Sequence, residues 1–196
     1  MAMDIYQQIW NLALPYYRQG REGDCEHVLW LWQRAHELCM HEGVDHKVMI
    51  PFVILHDIGY CRCPKENCAK IEMRMWHTRH GADIARDILN KIGYDKKASE
   101  EIIFCIANHA NWALGQNEVF KKNINLGLFS DLGFTWLVSP KGFEIIMKRK
   151  KLTRSEMIDL VEHNEKMINR PFVSSYTRQL YNRLLNERKF GKIQIL

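Results

Sequence analysis

This 196-residue sequence predicts an all-α fold, a single-domain helical bundle, and three observations lead there. Apolar residues recur at spacings of three and four in almost every periodic segment. No alternation of period two competes with that pattern. Helix start and stop residues also stand where the periodic segments begin and end.

The first stripe, Val28, Leu29, Leu31, Trp32, Ala35, Leu38 and Cys39, gives a long helix one apolar face, and Gly43 follows it as a C-terminal cap would. A second helix is predicted from about Asp45 to Ile58. Pro51 lies inside it and has no N–H to donate, which predicts a kink. Further helices are predicted from Trp76 to Lys91, with Gly93 beyond, and from Asp95 to His109. Asn123 to Leu137 and Lys141 to Lys148 come next. Thr153-Arg-Ser-Glu156 fits a capping box opening Ser155 to Asn169, Pro171 follows that helix, and Ser174 to Arg188 is the last. The stretch "CRCPKENC", Cys61 to Cys68, and the segment Ala110 to Lys122 read as irregular insertions.

Composition narrows the classes. With 46% apolar and 26% charged residues, the chain reads as an ordinary globular domain over residues 1–196. Its longest apolar run, Val48 to Leu55, is far short of the roughly 18 residues of a membrane span. The N-terminus "MAMDIYQQIW" lacks a basic region followed by an apolar one, so a cytoplasmic protein with reduced cysteines is expected. Cys25, Cys39 and Cys105 sit in apolar stripes and read as core, as do Trp30, Trp32, Trp76, Trp112 and Trp136. Cys61-x-Cys63-x4-Cys68 lacks the paired spacing of a zinc site and an evident fourth ligand. The net charge of +5 is scattered, and Lys148-Arg-Lys-Lys151 reads as a solvated corner between helices. Without a basic stripe interleaved with aromatics, neither nucleic acid nor membrane is expected as a partner, while a homo-oligomer stays open.

The stretch "VILHDIGY", Val53 to Tyr60, ends an apolar run on an imidazole and a carboxylate. Buried ionisable groups need a partner or a metal. A structural pair capping the helix end is one reading of His56 and Asp57. A metal site is the other, and its further ligand candidates are His27, His77 or His80, His109 and Asp131, each beginning or ending an apolar stripe.

The order His27, His56-Asp57 followed by Ile58-Gly59, then Asp131 resembles the HD-domain superfamily. "HVLWLWQRAHEL" resembles its first motif helix, "ILHDIG" its second, and "HTRHGADIARDIL" the helix that follows, where the His four residues before Gly-Ala picks His77 over His80. "SYTRQLYNRLL" resembles the closing helix of small HD hydrolases, so the resemblance covers about residues 20 to 190.

It implies a helical bundle of the HD type and a small stand-alone metal-dependent phosphohydrolase. His27, His56, Asp57 and Asp131 would hold one divalent ion, and His77 and His109 a second ion or the substrate phosphate. One or two ions of manganese, magnesium, nickel, cobalt, zinc or iron would serve. Catalytic roles would fall to Asp57, His77 and His109, with Asp57 bridging ions or orienting water. The implied substrate is a small phosphorylated molecule, most simply a nucleotide, cleaved as a phosphohydrolase or phosphodiesterase would. Arg74, Arg79, Lys65 and Lys70 lie near in sequence and are candidates to contact it. Tyr60 departs from the small or basic residue common after that Gly. Two other readings stay open: a di-iron oxygenase of the same fold, and a non-catalytic metal- or nucleotide-binding regulatory module.

Overall fold

The computed structural model describes residues 4–64, 70–164, 168 and 171–191. Among these there are ten α-helices and no strand. In order they are α1 (Ile5–Tyr17), α2 (Asp24–Glu42), α3 (His46–Leu55), α4 (Ile71–Lys91), α5 (Lys96–Asn108), α6 (Glu118–Lys122), α7 (Ile124–Trp136), α8 (Pro140–Lys150), α9 (Arg154–Glu162) and α10 (Ser175–Phe190). Short 3₁₀ turns cover Ile58–Arg62 and Asn111–Leu114.

Helix α3 is the axis of the bundle, with every residue from Val48 to Leu55 buried. A helix apolar all round belongs in the interior, and α1, α2, α5 and α7 surround this one. Asp45 opens it by accepting from the Lys47 backbone N–H at 2.8 Å. Pro51 cannot donate to the Lys47 carbonyl four residues back. The Tyr94 hydroxyl takes over that acceptor at 2.8 Å, so the proline leaves no orphan and the helix runs through it.

The other helices sort by stripe. Helix α1 buries Tyr6, Ile9, Trp10, Ala13 and Tyr17, and α7 is buried from Leu126 to Leu132. Gly43 closes α2 at φ 65°, a left-handed turn that glycine takes without strain. A second cluster of Val138, Phe143, Met157, Val161, Leu180, Tyr181 and Leu184 joins α8, α9 and α10, and Trp30 and Tyr176 pack against both clusters. The capping box on α9 forms as its spacing predicts.

Departures from the sequence reading have physical causes. Helix α1 lies outside every predicted segment. Helix α4 starts at Ile71, five residues before the predicted Trp76, because its first turn is largely exposed and shows no stripe. Trp76 is 47% exposed and is not core. The Ala110–Lys122 segment holds a 3₁₀ turn and α6, anchored by the buried side chains of Ala110 and Phe120. The end of the predicted Ser155–Asn169 helix, and with it Lys65 and Cys68, includes positions outside the described residues. Cys61 and Cys63 are free thiols. Among the described residues no helix is long and apolar enough to cross a membrane.

Candidate metal centre

Four helices converge on Asp57. His27 comes from the first turn of α2, His56 caps the end of α3, His77 comes from α4 and His109 caps the end of α5. Asp57 follows α3 directly and opens the 3₁₀ turn. That turn lies against α4 so closely that a Cβ on Gly59 would fall 2.0 Å from the His77 carbonyl oxygen and 2.6 Å from the Gly81 nitrogen. The glycine of "HDIG" is therefore what lets Asp57 and His77 share one centre.

The two cap histidines use the same device. His56 Nδ1 is 2.8 Å from the Val53 carbonyl and His109 Nδ1 is 2.7 Å from the Ile106 carbonyl. His77 Nδ1 leans on the Met73 carbonyl at 3.4 Å. A carbonyl only accepts, so each Nδ1 carries the proton and a neutral ring turns a bare Nε2 lone pair inward. The last carbonyls of α3 are thereby used, with Ile54 taken by the Tyr17 hydroxyl at 2.6 Å.

For His77 and His109 the inward atoms then meet as acceptor against acceptor, while His27, whose buried Nδ1 has no hydrogen-bond partner among the described residues, is free to carry its proton on either nitrogen. His77 Nε2 is 3.1 Å from His109 Nε2, and His56 Nε2 is 3.2 Å from His27 Nε2. Asp57 Oδ1 is 3.3 Å from His77 Nε2 and 3.5 Å from His109 Nε2. Asp57 Oδ2 is 3.1 Å from His56 Nε2 and 3.8 Å from His27 Nε2. Lone pairs held this close repel unless a cation lies among them. Two groups of ligand atoms result, His27–His56–Asp57 and Asp57–His77–His109, each able to hold a metal ion.

Electrostatics favours the ligand forms. Burial, with His56 beside it, pulls the His27 pKa down to about 3. Burial takes His77 down to about 4 and lowers His109 as well. Burial alone would raise the Asp57 carboxyl, yet His56 and Arg21 overcome it and hold it well below the usual carboxylate range. Neutral imidazoles and an ionised carboxylate are the species that bind divalent ions. Phe129 and Trp136 of α7 form the apolar wall, with ring centroids 4.7 Å from His56 and 5.0 Å from His27 respectively.

Asp131 stands outside both groups. Its Oδ2 accepts from Val173 N and Ser174 N at 2.9 Å each and from Thr177 Oγ1 at 3.1 Å, which ties α7 to the start of α10. His80, one turn from His77, lies on the outer side against Trp76 and Arg62. Arg79 and Lys70 are exposed, and Arg74 sits over the Trp112 ring at 4.9 Å.

The sequence reading missed Arg21. It precedes α2, and its Nη2 reaches Asp57 Oδ2 at 2.6 Å. The only local signal is Asp24 three residues on, a buried carboxylate that must find a cation.

Fold and site together define an all-helical protein with two adjoining His/Asp groups able to hold metal. The family model described as HD domain matches residues 25–190, and the chain belongs to that family. Searches of curated proteins and of solved structures found no match.

Proposed function

We propose that the protein is a divalent-metal-dependent phosphohydrolase that cleaves a phosphate ester, most simply of a nucleotide or a related small molecule. One observation carries this reading: Asp57 turns Oδ1 to His77 and His109 and Oδ2 to His56 and His27, so that one carboxylate serves two adjacent groups of donors. Ions held there would activate water and stabilise charge on the phosphoryl oxygens.

The chain's own residues do the rest. The Nδ1–H bonds to helix carbonyls fix the rings of His56 and His109 so that each turns Nε2 to the centre. Asp57 stays ionised throughout the physiological range, held so by its neighbours. Phe129 and Trp136 exclude water from one side.

The test is metal analysis of the purified protein together with a panel of phosphomonoesters, phosphodiesters and nucleotides, run with manganese, magnesium, nickel, cobalt, zinc and iron. Cleavage of at least one ester with a loaded metal, lost in Asp57→Ala, is the expected result. Stoichiometric metal with no ester cleaved would sink the reading. Bound iron with oxygen uptake would put the oxygenase chemistry of the fold in its place.

A further inference from the structure

Arg21 brings a cation against the metal-site carboxylate Asp57. Its guanidinium is fixed on three sides. Nε donates to Asp24 Oδ1 at 2.9 Å, and Nη2 lies 2.8 Å from Asp24 Oδ1 and 2.6 Å from Asp57 Oδ2. The face of the guanidinium lies on the Tyr60 ring, 3.4 Å from its centroid. Tyr60 in turn stacks on His77 at 3.8 Å and 12°.

That arrangement uses Nε and Nη2 and leaves Nη1. Among the described residues Nη1 has no hydrogen-bond partner, and it is not one of the buried atoms left without one. Two N–H donors therefore face open space, on a guanidinium whose other edge is locked against the metal-binding carboxylate. Two N–H donors on a fixed, permanently charged guanidinium can be given to phosphoryl oxygens.

We propose that Arg21 is the phosphate-binding residue of this site, presenting Nη1 to an oxygen of the substrate phosphoryl group while Asp24 and Tyr60 hold the guanidinium in place. The inference deepens the phosphohydrolase reading and rests on it for the substrate's class. It shifts the anion-binding role from Arg74, Arg79, Lys65 and Lys70 to a residue outside that stretch. Tyr60 acquires a use as the platform for Arg21, which a small or basic residue at that position could not provide.

The test measures binding of inorganic phosphate to the manganese-loaded full chain by calorimetry, with metal content determined on the same samples. Arg21→Gln should weaken phosphate binding about tenfold or more, and Arg21→Lys by less, since lysine keeps the charge but loses the fork. Phosphate binding is compared at saturating manganese, because Arg21 supplies no ligand atom but its bond to Asp57 Oδ2 supports one, and losing it should cost metal affinity about 10–100-fold. Unchanged phosphate affinity in Arg21→Gln overturns the proposal, as does a wild-type holoprotein with no measurable phosphate affinity. If Arg21→Gln fails to fold or to load metal, Asp24→Asn decides. It keeps the cation and loosens its grip, so an affinity equal to wild type overturns the proposal and a loss of about three- to tenfold supports it. A protein that binds phosphate through Arg21 yet cleaves no ester would sustain this inference and remove the function proposed above.

Discussion

His77 and His109 face each other Nε2 to Nε2 at 3.1 Å, from two helices that pack with Gly81 of α4 against Ile106 of α5. With each Nδ1 turned to a helix carbonyl, neither ring can donate to the other. The contact is favourable only around a cation. His109→Ala should therefore weaken metal binding by more than the 10–100-fold typical of losing a group that only hydrogen-bonds a ligand. Metal titration followed by calorimetry checks this, and affinity equal to wild type would remove His109 from the centre.

Gly59 decides whether the pair and Asp57 can coexist. A Cβ there would lie 2.0 Å from the His77 carbonyl oxygen, which is backbone and cannot swing away. Gly59→Ala should destabilise by at least the ~1–3 kcal/mol of an overpacked core, lowering Tm by several degrees and displacing Asp57 from His77. Thermal unfolding with and without metal is the check. A variant as stable as wild type that still binds metal would contradict the close approach.

Much of this was legible in the sequence, because long helices with one buried face write their period into it. The stripe from Val28 to Cys39 and the unbroken run Val48 to Leu55 are such marks, and both helices form. The first turn of α4 and all of α6 were not, since mostly exposed turns leave no period. His77 and His80 share one turn and were separable only by resemblance; in three dimensions one enters the centre and the other lies against Trp76. Arg21 left only the faint signal of Asp24, because its partners Asp57 and Tyr60 lie 36 and 39 residues away, on another element. Asp131 was singled out by its place in a motif order. In the fold it bonds to the start of α10 instead.

The metal-free protein should lose stability as pH falls. His27 and His77 have pKa values near 3 and near 4 in the folded chain, and about 6.5 when unfolded. Between those limits the unfolded chain binds more protons than the folded one, so stability is full above about 6.5 and declines as pH drops toward 4. His109 is shifted in the same direction, and Asp57 adds a loss only below the ordinary carboxylate range. By pH 4.5 the combined loss should be on the order of a few kcal/mol. Urea unfolding of chelator-treated protein from pH 7.5 to 4.5 measures it. A flat profile would mean that these imidazoles are not neutral in the fold.

Asp131→Ala separates a structural carboxylate from a metal ligand. The side chain receives the backbone N–H groups of Val173 and Ser174 and the hydroxyl of Thr177. Losing it strands two backbone donors at a helix start, at ~1–3 kcal/mol for each buried donor left unmade. The expected result is a clear fall in Tm, with the folded fraction still binding metal at wild-type stoichiometry. Asp131→Asn should recover part of that loss, since the amide oxygen can accept from one or both N–H groups. Metal lost from a variant that unfolds like wild type would reverse the assignment and make Asp131 a ligand.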